Sequence, residues 1–256
     1  MPFFNLLKIG GFLNLYFFGE TLFSSLKLLD FHFLLPAQIF FIVSAFRCFF
    51  PVHYTTNVVL HNSYFSSIFF TRVLATFSEI AYIYQFSYLI RFLNANQMPI
   101  IDLLSWLMVI QVIISQFFVW GAILTGIQKL YFYEEFGWAI IFIINTILNS
   151  ILFFLMSNIS EYILLIQLNL VFGIIYLPWQ FFHLKSIKSR YQAVQSNAKP
   201  LIMSWAILKI GLIKAIKTKE ISCKVEDWGG TIGMTWMISY WGTIIPIWIY
   251  VIINSI

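Results

Sequence analysis

Ile100–Leu124 reads IIDLLSWLMVIQVIISQFFVWGAIL, a run with one charged side chain, Asp102. As a helix rising 1.5 Å per residue it is about 37 Å long, more than the roughly 30 Å of hydrocarbon in a bilayer. The remainder of the chain has the same character. Of 256 residues 61% are hydrophobic, and 15 Lys and Arg with 10 Asp and Glu bring the charged share to only 10%; soluble domains carry about 25%. Mean hydropathy is +0.87. A water-soluble globule of this length cannot hide so much apolar surface, because its area falls too slowly relative to its volume. Soluble enzymes, disordered tails and collagen-like chains are thereby excluded, and the bilayer becomes the solvent in which the fold is argued.

Hydropathy predicts six spans: Phe31–Phe50, ended by Pro51; Tyr64–Leu93, long enough to tilt; Ile100–Leu124; Trp138–Met156; Tyr162–Phe182; and Thr231–Ile253. A turn-like stretch, Asn94–Pro99, divides the second from the third. Only Ser157–Glu161 divides the fourth from the fifth, which makes those two an antiparallel hairpin. Ahead of them, Leu6–Leu29 contains Lys8, Gly10, Gly11, Asn14, Glu20 and Lys27 and reads as an interfacial helix, with a seventh span as the alternative. The expected fold is an all-α integral membrane protein of six transmembrane helices (seven as the alternative) plus one or two interfacial amphipathic helices. It forms a single membrane domain over residues 1–256.

His183–Gly230 is the one sizeable polar stretch. Its nine basic residues and its three acids, Glu220, Glu226 and Asp227, leave a net charge of +6. The positive-inside rule puts this loop on the cytoplasmic or matrix side, with both termini opposite. Within it, Pro200–Ile216 reads as a helix in the headgroup layer, opened by Pro200, with a short re-entrant segment or a further span as the alternative. Lys185, Lys188 and Arg190 follow the fifth span, behind the interfacial anchors Tyr176 and Trp179. With Lys209 and Lys214 they are candidates for holding anionic headgroups, at about 1 kcal/mol per residue. In an inner membrane that lipid would be cardiolipin. Simple determination of topology is the competing reading.

Charges inside spans cost several kcal/mol in hydrocarbon, so each needs a reason. Arg72 and Glu79, seven residues apart, share one helix face about 10 Å apart along the axis, with Thr76 between them. Arg47 lies near the end of the first span. One reading of this intramembrane polar cluster is a buried ion-pair network that docks the first spans; the other is a proton relay or a seat for an anionic substrate. The histidines, His32, His53, His61 and His183, form no HxxxH or HExxH, and the two cysteines form no CxxC. No metal, cofactor or disulfide is therefore expected. GxxxxGK[ST], GxGxxG and GxSxG are absent, so neither nucleotide binding nor elbow-type serine hydrolysis is expected, nor a nucleic-acid partner. Gly229 and Gly233 have the spacing of a close-packing motif at the head of the last span. Asn158-Ile159-Ser160 matches a glycosylation sequon in what reads as a tight interhelical turn.

The N-terminal MPFFNLLKIGG has neither the pattern of a cleaved signal peptide nor the Arg and Ser of a mitochondrial presequence. A Met1 retained ahead of Pro2 is compatible with synthesis within an organelle and equally with incomplete trimming.

The stretch Phe46-Arg47-Cys48-Phe49-Phe50-Pro51, followed by Leu60-His61-Asn62-Ser63, Ser66-Ser67-Ile68 and Thr71–Glu79, resembles a pattern in an uncharacterised family of multi-pass membrane proteins of algae, protists and some bacteria. That pattern runs from an Arg and a Pro through a Ser-bearing turn to Arg, Ala-Thr and Glu in the next helix. Tyr176, Trp179 and Phe182 fit a second, aromatic block. The resemblance covers about a quarter of the chain and names no activity. It implies that Arg47, Arg72 and Glu79 form one cluster.

Two functional classes follow. The favoured one is a non-enzymatic accessory subunit of a large membrane complex, in the respiratory chain or ATP synthase of the mitochondrial inner membrane. Its expected partners are other membrane subunits and anionic phospholipid. The alternative is an independent transporter or lipid-modifying enzyme built on the Arg47, Arg72 and Glu79 cluster. Pro36, Pro178 and Pro246 do not form the paired helix breaks of a transporter's two halves.

Overall fold

A computed structural model describes residues 2–24, 30–54, 57–155, 162–195 and 204–256. Nine α-helices are found among them: α1 (Pro2–Ser24), α2 (Phe31–Phe49), α3 (Ile68–Asn94), α4 (Pro99–Thr125), α5 (Gln128–Leu155), α6 (Ile163–Gln195), α7 (Trp205–Lys217), α8 (Gly230–Met237) and α9 (Ile244–Ser255). Three two-residue strands complete the fold: β1 (Val52–His53), β2 (Val58–Val59) and β3 (Glu220–Ile221). The all-α expectation holds. The Ser157–Glu161 link, the sequon, Lys27, Lys199 and Pro200 lie outside the described residues, and Arg190 lies outside those whose side chains are described.

The chain forms two compact units, Met1–Tyr82 with Leu212–Ile256, and Ile83–Gly211. In the first, α1 lies along α2 and along the segment that joins α8 to α9. Its buried residues Phe4, Leu7, Asn14, Phe17 and Thr21 recur at helical spacing, while Ile9, Phe12, Tyr16 and Phe23 stay exposed. At the crossing, a Cβ on Gly10 would stand 2.5 Å from the Cα of Gly242, so only glycine lets the two backbones approach this closely. The joining segment, Ile238–Gly242, is a π-helical turn. Pro246, which has no N–H to donate back to Gly242, accounts for a break at this point. Asn14, fully buried, donates to the carbonyl of Trp241 at 2.9 Å and to Gly10 O at 2.7 Å. α1 is thus a 23-residue packed helix carrying a structural amide, in the stretch expected to be an interfacial helix or, alternatively, a seventh span.

β1 pairs antiparallel with β2 (Val52 opposite Val59), and β2 pairs parallel with β3 (Val58 opposite Glu220). Lys219 Nζ also donates to Ser63 O. The α2–α3 connection and part of the basic stretch are thereby tied into one small sheet. Trp228, fully buried, packs edge-on against Phe4 with ring centroids 5.4 Å apart. The Gly229–Gly233 spacing does not join two helices. Gly229 closes a 3-10 turn at φ +82°, and a Cβ on Gly233 would strike the carbonyl of Trp228 in that same turn.

In the second unit α5 packs against both α4 and α6. Gly137 faces Ser115 of α4, and Gly173 of α6 faces Thr146 of α5, so small residues mark the close approaches. Its buried aliphatic side chains include Met108, Val112, Val119, Ile141, Leu148, Leu165 and Ile166, with Trp138, Phe142 and Tyr176 buried among them. α5 begins ten residues before the expected Trp138, separated from α4 by Gly126 (φ +74°) and Ile127. α6 runs on to Gln195, so Lys185 and Lys188 lie on helix where a loop was expected.

Among the described residues, five helical stretches are long and apolar enough to cross a membrane: Phe31–Phe49, Pro99–Thr125, Gln128–Leu155, Ile163–Ser189 and Gly230–Ser255. α3, the expected second span, is long enough but not among them. Its large exposed side chains are Phe77 and Phe92, whereas Arg72, Ser78, Glu79, Gln85 and Ser87 are buried. A helix whose polar residues face protein does not need an apolar sequence all round.

Candidate functional site

Arg72 and Glu79 stand two turns apart on α3, and both are buried, at 3% and 5% relative exposure. Side chains on a helix lean towards its N-terminus, so Glu79 reaches back while the long Arg72 reaches forward. The result is a forked pair: Arg72 Nη2 donates to Glu79 Oε2 at 2.7 Å and Nη1 to Oε1 at 3.3 Å. Such bidentate geometry is the strongest form of this contact. Tyr54, in the α2–α3 connection, places its ring 5.8 Å from the Arg72 guanidinium carbon. Thr76 is half-buried on the intervening turn.

Arg47, in the last turn of α2, lies within electrostatic reach of Arg72, Glu79 and Tyr54. Its Nη2 donates to Val52 O at 3.5 Å, and its guanidinium carbon sits 5.0 Å from the ring centroid of Trp241. Trp241 stacks on Phe40, and Tyr240 stands edge-on to Trp241 at 4.6 Å. The three charged residues expected to cluster are therefore brought together. The aromatic wall formed by Trp241 and Tyr240 is separated from Arg47 by most of the chain, and no local pattern announces it.

The lipid candidates are distributed differently. Lys185 and Lys188 are exposed on the last turns of α6. Lys209 and Lys214 are exposed on α7, where Trp205, Ile210, Leu212 and Ile213 are exposed among them. An exposed helix mixing Lys with Trp and Ile suits a charged, apolar boundary such as the headgroup layer.

Three polar sites in the second unit escaped the sequence reading. Arg91 lies 4.1 Å from the ring centroid of Trp106 and donates to Ser105 Oγ at 3.1 Å. Asn149 donates to Asn145 O at 2.8 Å, and Asn169 of α6 donates to Asn149 Oδ1 at 3.2 Å. Gln180 donates to Glu135 Oε2 at 3.0 Å, while His183 Nε2 lies 3.7 Å from Glu135 Oε1 and its ring stacks on Trp179. The i, i+4 spacing of Asn145 and Asn149 is a usable signal for the second of these. Among the described residues, no three His, Cys, Asp or Glu side chains converge as metal ligands. Cys48 is buried and Cys223 exposed, both as free thiols.

No protein-family model matches the chain, and no curated protein or solved structure matches it.

Proposed function

We propose that this chain is an integral membrane protein of six spans serving as a structural accessory subunit of a larger membrane complex. The observation that carries this reading is the distribution of its side chains. Charged and polar groups turn inward, as in the forked Arg72–Glu79 pair, while large rings such as Phe117, Phe154, Phe181 and Phe182 stand exposed. Exposed aromatic surface is what lipid-facing and subunit-facing helices both require. The sixth span is α3, which crosses with its charges neutralised inside the protein. The complex belongs to the energy-transducing inner membrane of mitochondria, in the respiratory chain or ATP synthase, where small apolar subunits and cardiolipin abound. The exposed lysines of α6 and α7 meet anionic phospholipid there.

Blue-native electrophoresis after mild detergent tests the subunit reading. Co-migration with a complex of several hundred kilodaltons is the expected result. A free monomer or small homo-oligomer would reject it and promote an independent transporter.

A further inference from the structure

The buried cluster is not electrically closed. Among the described residues it holds two guanidinium groups, Arg47 and Arg72, and one carboxylate, Glu79, whose two oxygens both accept from Arg72. Arg47, at 5% exposure, has five N–H donors but, among the described residues, only one long bond, to Val52 O at 3.5 Å. Its Nε is buried and makes no hydrogen bond among the described residues. The face of Trp241 offsets part of the charge without supplying an acceptor. Ser44, three residues earlier on the same helix face, carries a buried hydroxyl that also lacks a hydrogen-bond partner among the described residues.

Location adds to this. Arg47 sits at the C-terminal end of α2, beside the β1–β2–β3 sheet that ties in the basic stretch. In a chain whose α2 crosses the bilayer, that end lies where headgroups begin. We propose that Arg47 anchors a site for one oxyanion, a phosphate group, with Trp241 behind the guanidinium and the Arg72–Glu79 pair fixing the neighbouring charge. The fork of N–H donors matches phosphate geometry, and one bound anion balances the cluster's surplus charge. The inference rests on the integral-membrane reading and not on the subunit reading, so migration on a native gel leaves it untouched.

Thermal unfolding of the full chain tests it in two arms. One compares inorganic phosphate with chloride at matched ionic strength in a neutral detergent. The other compares nanodiscs of phosphatidylcholine with and without phosphatidylglycerol. The expected result is a rise in Tm of several degrees in at least one arm, largely lost in Arg47→Gln. A response to phosphate alone identifies a soluble anion as the ligand; a response to phosphatidylglycerol alone identifies a lipid headgroup. Arg47→Lys keeps the buried charge and serves where Arg47→Gln does not assemble; losing the fork, it is expected to bind about tenfold more weakly. No rise in the natural protein, an equal rise in Arg47→Gln, or undiminished affinity in Arg47→Lys would each overturn the assignment.

Discussion

Arg72→Met alone is expected to lower the stability of the purified protein by about 3–5 kcal/mol, and Arg72→Met combined with Glu79→Leu by much less. The single replacement strands Glu79, buried at 5% exposure, without the guanidinium that engages both of its oxygens. The double replacement removes both charges and leaves apolar side chains of similar bulk, and such exchanges of buried pairs are often neutral. Glu79→Gln alone should cost as much as Arg72→Met, because it leaves Arg72 and the nearby Arg47 with no negative charge between them. Unfolding in a denaturing-detergent titration measures all three. Equal losses from the single and double replacements would reject a structural ion pair. Normal stability with loss of a transport activity would instead point to a relay.

Gly10→Leu is expected to be the other severe substitution, at about 3 kcal/mol or more, combining overpacking with a lost buried hydrogen bond. A Cβ at Gly10 would lie 2.5 Å from the Cα and 2.8 Å from the carbonyl oxygen of Gly242, and backbone cannot swing aside as a side chain can. Parting α1 from the π-helical turn also draws Asn14 away from Trp241 O, leaving two buried polar groups unmatched. Gly19, on the same helix, has nothing among the described residues within 4 Å of its Cβ position. Gly19→Ala is therefore the control, expected to gain up to about 1 kcal/mol of helix propensity. Matching effects of the two substitutions on Tm would contradict the close crossing.

How much of this is legible in the sequence depends on where each signal lives. The expected third span and α4 differ by one residue at each end, because Pro99 and Gly126 punctuate the helix locally. α5 starts far ahead of its expected first residue because Glu135 finds Gln180 and His183 on another helix, and hydropathy along one segment contains no such partner. The basic stretch reads as a loop by composition, yet α6 continues through it to Gln195, since Lys, Gln and Arg form good helices in water. The spacing of Arg72 and Glu79 places them on one face from sequence alone. The approach of Arg47 and the wall of Trp241 require the closed fold. α3 illustrates the limit most clearly: hydropathy measures compatibility with lipid, whereas this helix is buried on nearly every side.

In the proposed reading the bilayer is the solvent for this chain, and its basic stretch lies on the cytoplasmic or matrix side. Its two free cysteines allow a direct test without substitution, because Cys48 is buried and Cys223, beside β3, is exposed. In sealed membranes with the cytoplasmic or matrix face inward, a membrane-impermeant maleimide is expected to leave Cys223 unlabelled until the membranes are opened. The protein should meanwhile remain in the membrane fraction after alkaline carbonate washing. Labelling of Cys223 in the sealed membranes, or release of the chain by carbonate, would contradict the account.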